Sequence, residues 1–162
     1  MQRRIFVSFV YEDAQQARGF TLLPYNRNVD FDFVERHLLT PAESQNPDYI
    51  RSRIREELNG TSVTVVLIGK TTARSNWIDF EIRESLARGN GVIGIKLKGC
   101  ENAEVPRALE ENGCRVINWE PQSFSEEIEG TALIAGREVA APPSAGSGGG
   151  GGGSSSAKGC SR

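Results

Sequence analysis

Between Met1 and Ala140 short, β-branched apolar runs alternate with longer segments whose apolar residues recur three and four apart. Such alternation is the pattern of strands and amphipathic helices in an α/β domain. The apolar runs predict five strands: Arg4 to Phe9, Val29 to Val34, Ser62 to Ile68, Val92 to Leu97 and Cys114 to Trp119. Val63 to Ile68 is almost unbroken, as in a strand covered on both faces. The spaced segments predict helices over Ala14 to Leu23, Pro47 to Leu58, Trp77 to Arg88, Pro106 to Asn112 and Phe124 to Val139. End signals agree: Asn46 precedes Pro47, Asp13 and Asn76 stand where caps belong, and Pro106 with Gly113 brackets the fourth helix. His37 to Gln45 reads as a loop, and long loops near strand ends often carry function.

Right-handed crossovers between these elements give an open, mostly parallel five-stranded sheet with helices on both faces, a three-layer flavodoxin-like fold in the order 2-1-3-4-5. In that order the ligand crevice opens where the winding reverses, between strands one and three and beyond their carboxyl ends. Phe9, Val10 and Tyr11 leave strand one there, and Lys70 to Asn76 leave strand three. The first turns of the third helix should therefore bring Trp77 and Glu81 to face the Ser8 to Tyr11 segment.

With 162 residues, 38% apolar and 25% charged, the chain suits one ordinary domain, expected over 1–140. After Ala140 the sequence turns to Ala141-Pro142-Pro143-Ser144, a glycine run and Ser154-Ser155-Ser156, so 141–162 is expected to be a flexible Pro/Gly/Ser-rich tail. Nineteen basic against 21 acidic residues give a net charge of −2, which provides no field for nucleic acid or an anionic membrane surface. No stretch approaches the ~20 apolar residues of a membrane span, and Tyr11-Glu12-Asp13 ends the first apolar run too early for a signal peptide. Cys100, Cys114 and Cys160 lack metal or redox spacing, so a reducing cytoplasm is the expected location.

Several motifs fail on context. Gly89-Asn90-Gly91-Val92-Ile93-Gly94 matches G-x-G-x-x-G but ends a helix and opens a strand, the reverse of a dinucleotide loop; Gly89 reads as a helix stop. Gly69-Lys70-Thr71 resembles the end of a phosphate loop, yet a strand occupies the positions where its cradle of amides would form. Glu12-Asp13 suggests a phospho-receiver pocket, but strand three ends in Gly69 and Lys70 where the phosphorylated aspartate belongs. His37, the one histidine, reads as solvated beside Arg36 and cannot hold a metal alone; no metal site is expected. Neither Ser8 nor Cys114 has a base placed to make it a nucleophile.

Trp77 and Glu81, one helical turn apart, are the pair with chemical content. A carboxylate beside an indole can hold ribose hydroxyls and stabilise positive charge on the neighbouring carbon, as scission of an N-glycosidic bond requires. The plainer reading makes Trp77 core and Glu81 a solvated charge.

Arg4 to Asp13, Asn59 to Gly69, Trp77 to Glu81 and Gly89 to Ile95, in this order, resemble the bacterial TIR-like family, and more narrowly the TIR-like subunit of the Thoeris anti-phage defence system. The likeness covers nearly all of Arg3 to Gly99. It implies a flavodoxin-like domain that cleaves NAD+ at the nicotinamide–ribose bond and releases an ADP-ribose-derived signal, cyclic in some members, for a downstream effector protein. NAD+ is then substrate and no cofactor is needed. The W-x-x-x-E motif maps onto Trp77 and Glu81, with Glu81 catalytic; the segment after the first strand implies pocket roles for Phe9 and Tyr11, and Ser8 joins them. The resemblance also carries a rival expectation: many TIR-type domains work as non-catalytic assembly modules, some as homo-oligomers, in which Glu81 would be a rim charge.

Overall fold

The computed structural model describes residues 3–27, 33–36 and 46–140, of which 33–36 and 138–140 by backbone alone. Along the chain run β1 (Arg3–Ser8), α1 (Ala14–Thr21), β2 (Phe33–Arg36), α2 (Pro47–Leu58), β3 (Val63–Ile68), α3 (Asn76–Ala87), β4 (Gly91–Lys96), α4 (Arg107–Glu111), β5 (Arg115–Ile117) and α5 (Pro121–Ala140). The strands form one parallel sheet in the order β2-β1-β3-β4-β5, as the alternation of elements predicts.

Side-chain alternation along the central strands sorts the two faces. Ile5 and Val7 of β1 share a core with Phe20 of α1 and with Phe124 and Ile128 of α5. Phe6 points the other way, onto Ile54 and Leu58 of α2. On that second face Val66 and Ile68 of β3 pack against Ile78, Ile82 and Leu86 of α3 and Leu109 of α4. Phe6, Phe20 and Phe124 are wholly buried, each worth roughly 2–3 kcal/mol in water-excluded surface. All six residues of β3 are buried, as expected of a strand covered on both sides. The same alternation sends Ser8, at the end of β1, toward the face covered by α2 and α3.

Two strand boundaries differ from the expected ones. The second strand is described over Phe33–Arg36 and so runs two residues past the expected end at Val34, because these residues stand opposite Arg3 to Phe6; the rest of the expected span, residues 29–32, lies outside the described ones. The fifth stops at Ile117, where β4 supplies partners only from Ile93 to Ile95. Trp119 instead sets its ring edge-on to Phe124, 5.2 Å between centroids.

Helix ends differ as well. The first helix ends at Thr21, and a 3₁₀ turn at Leu23–Tyr25 precedes Asn26, because Pro24 cannot continue a helical hydrogen-bond ladder. The last begins a turn earlier than expected, with Pro121 at its first position. Gly89, at φ 81°, does stop α3, and Gly91 opens β4. The loop 37–45 with His37 and the tail 141–162 lie outside the described residues.

Candidate functional site

Where β1 and β3 end, the chain turns away from the sheet in two short 3₁₀ turns, Tyr11–Asp13 and Thr72–Arg74, and a cleft of about 400 Å³ opens between them and α2. That volume lies within the range of small-molecule sites. The reversal of strand order thus produces a crevice where the topology rule puts one.

Ser75 caps α3, its hydroxyl accepting from the Ile78 N–H at 3.3 Å. The expected cap, Asn76, is instead the first helical residue. Ser75 stands in an extended conformation (φ −82°, ψ 118°), which suits a cap, whereas Asn76 has already entered the helix. Asp13 likewise makes no capping bond to α1. Its carboxylate lies over Gly69, where an added Cβ would stand 2.0 Å from Oδ2. Burial, then the charge of Glu12, raises its pKa, while the Thr72 hydroxyl opposes the rise. A side chain at Gly69 would therefore have to displace the Asp13 carboxylate, and the Gly69 N–H goes to the Thr72 hydroxyl at 2.8 Å.

From this capped start, Trp77 and Glu81 project one turn apart toward the end of β1. Glu81 is 7% exposed and Ser8 only 1%, and the Ser8 hydroxyl donates to Glu81 Oε2. Desolvation pushes the Glu81 carboxyl up to about 7, with the Ser8 hydrogen bond pulling the other way. The helix that carries it is fastened to the sheet by a buried polar pair: Ser85 Oγ donates to the Glu81 carbonyl at 2.6 Å and lies 2.7 Å from Thr64 Oγ1 on β3. A carboxyl held this rigidly, half-poised between its protonated and ionised forms near neutrality, is suited to hydrogen-bond hydroxyls or to meet developing positive charge.

The five sequence-predicted site residues gather in one place. Phe9, Tyr11, Trp77 and Glu81 line the cleft, and Ser8 lies behind Glu81 as its hydrogen-bond partner. Phe9 also packs onto the α1/α5 core, so its position is fixed, whereas Tyr11 stands 70% exposed at the rim. Trp77 is both wall and packing residue: half-buried, it meets Phe80 edge-on with centroids 6.2 Å apart, and the Arg51 guanidinium of α2 lies 6.0 Å from its ring. Sequence reasoning missed Ile50 and Ile54, which line the cleft from α2, and Thr71, Arg74 and Ser75, which line it from the segment between β3 and α3. The spacing of Ile50 and Ile54 marks an apolar helix face, but nothing local says that this face borders a cavity. Among the described residues no helix is long and apolar enough to cross a membrane, and no three His, Cys, Asp or Glu side chains are grouped to hold a metal ion.

Comparison with known proteins adds two findings. A family model described as "Thoeris protein ThsB, TIR-like domain" matches residues 6–102, which contain every residue of the site above. A Bacillus cereus (strain MSX-D12) protein named "Putative cyclic ADP-D-ribose synthase ThsB1" is 32% identical over 102 residues, 60% of this chain and 53% of that protein. The chain thus spans about half the length of the curated relative it matches. With more than half of its residues matched by the family model, and with the sheet order and crevice of a flavodoxin-like domain, the chain belongs to the Thoeris ThsB TIR-like family.

Proposed function

We propose that the protein cleaves NAD+ at the nicotinamide–ribose bond and forms an ADP-ribose-derived signal, cyclic or linear, in anti-phage defence. The observation that carries this reading is the Glu81 carboxyl, buried at the base of the cleft, bonded to Ser8 and flanked by the Trp77 ring. The name of the Bacillus cereus relative points to the same substrate class. In the assembly-module alternative Glu81 is a rim charge, which its burial disfavours.

In the proposed reaction Glu81, ionised, accepts hydrogen bonds from the hydroxyls of the nicotinamide ribose. As the bond from the anomeric carbon to the pyridinium nitrogen lengthens, its electron pair passes to that nitrogen and neutral nicotinamide leaves. No acid is needed to protonate the leaving group. The carboxylate meets the positive charge left on the ribose, while Trp77, Phe9 and Tyr11 supply aromatic walls that exclude water. A water molecule then bonds to the anomeric carbon and loses its proton to solvent or to Glu81; in the cyclic case a ring nitrogen of adenine bonds there through its lone pair, and the cationic base sheds its charge by releasing a proton from its exocyclic amino group. The released product would be read by a separate effector protein, and self-assembly would be one means of switching the enzyme on.

The test is release of nicotinamide from NAD+ by purified protein. Glu81→Gln preserves shape and the Ser8 contact while removing the charge, and should fold normally yet lose about 100-fold or more in turnover. Full NAD+ cleavage by the folded Gln variant would remove Glu81 from this role.

A further inference from the structure

The cleft has two chemically different ends. At the β1 end stands Glu81; at the other, where the 3₁₀ turn Thr72–Arg74 meets the start of α3, the side chain of Arg74 lines the wall. Arg74 is the one basic residue among the described residues that line the cleft, and the other charged ones, Glu12 and Glu81, are acidic. Arg51, Arg53, Arg55, Arg83 and Arg88 on the neighbouring helices each pair with a carboxylate, whereas Arg74 makes no side-chain hydrogen bond or ion pair among the described residues. An exposed arginine at a cleft, with no partner among the described residues, is arranged to receive an anion from outside.

The spacing selects the anion. From Ser75 to Glu81 the helix rises about 9 Å, so the backbone positions that carry the two charged side chains of the lining are separated along α3 by roughly the length of a sugar. A ribose whose hydroxyls meet Glu81 directs its 5′-phosphate toward Arg74, within the reach of a flexible guanidinium. The positive end of the α3 dipole adds to the attraction there.

We infer that Arg74 is the anion anchor of the cleft, binding the diphosphate of the dinucleotide substrate and so selecting a phosphorylated nucleoside over the free one. This rests on the NAD+ reading of the same cleft. Arg74 would be a positioning residue for the reaction, since its contact is the same before and during bond cleavage and it acts on binding, not on the chemical step.

The test compares wild type with Arg74→Gln and Arg74→Lys by calorimetric titration with ADP-ribose at low and moderate salt, and by steady-state cleavage of NAD+. Arg74→Gln should weaken ADP-ribose about tenfold or more and remove most of the salt dependence of its binding. It should also raise KM for NAD+ with kcat near the wild-type value, and Arg74→Lys should recover part of the loss. Equal ADP-ribose affinity in wild type and Arg74→Gln, or a loss confined to kcat, would overturn the anchor while leaving wild-type NAD+ cleavage, and the enzyme reading, standing. Wild-type protein that bound no ADP-ribose would overturn it too, whatever the cleavage assay showed.

Discussion

Ser8 supplies the hydrogen bond that favours ionised Glu81 against the desolvation raising its pKa to about 7. Removing that donor should raise the carboxyl further, since the opposing cause is then the one left. If Glu81 acts as the anion, kcat/KM for NAD+ rises with pH through the neighbourhood of 7 in the wild type. In Ser8→Ala the same limb should move about one pH unit to the alkaline side, because hydrogen bonds to charged groups are worth more than neutral ones. A pH–rate profile of the two proteins checks this, and a limb unmoved by the substitution would show that Ser8 does not govern the carboxyl. The exit of the first strand and the start of the third helix made the meeting of Trp77 and Glu81 with the Ser8 to Tyr11 segment legible in the sequence, because a parallel sheet with one reversal point has one place for them to meet; the roles expected of these residues came from the family resemblance. Arg74 was not legible in that way. A lone arginine in a polar turn looks like any solvated charge until the turn is seen to line the cleft. The placement of Ile50 and Ile54 likewise depends on how α2 lies across the sheet, which no local period encodes.

The elements themselves were readable from periodicity, and their ends were not. Whether Ser75 or Asn76 caps α3 is decided by a single residue's backbone conformation, and the last residue of β5 by how far β4 offers partners. Glycines in the G-x-G-x-x-G match show the same division. Sequence context rejects them as a nucleotide loop, but only the packing shows why Gly91 has no side chain: an added Cβ there would stand 2.7 Å from Thr131 Cγ2 and 2.8 Å from the Thr131 backbone oxygen on α5. The obstacle includes backbone, so relief requires β4 and α5 to separate. Gly91→Ala should therefore destabilise the protein by about 1–3 kcal/mol, measured as a fall in the denaturant midpoint with little change in the slope. A midpoint equal to wild type would mean that α5 can retreat from the sheet at no cost.

The carboxyl at the centre of the cleft should also leave a mark on the stability of the entire fold. In the unfolded chain Glu81 titrates near 4.5, in the folded protein near 7, so between these values the folded state holds the extra proton. Stability then falls as pH rises through that window, and above about 7 the folded protein carries the full cost of a desolvated charge. The interval corresponds to about 3 kcal/mol, most of it recoverable by a neutral isostere. Carboxylates whose folded pKa is lowered, such as Glu129 beside Arg3 and Glu111 beside Arg83, have the opposite sign and lose their contribution as pH falls. Both kinds are present in wild type and in Glu81→Gln except Glu81 itself, so the difference between the two stability curves isolates it. That difference should be near zero below pH 4.5, grow in favour of the Gln variant between 4.5 and 7, and level off above. Urea unfolding at a series of pH values measures it directly. Parallel curves across the window would mean that Glu81 ionises in the fold as easily as in water, and a carboxylate that is solvated to that degree cannot be the buried group on which the proposed chemistry depends.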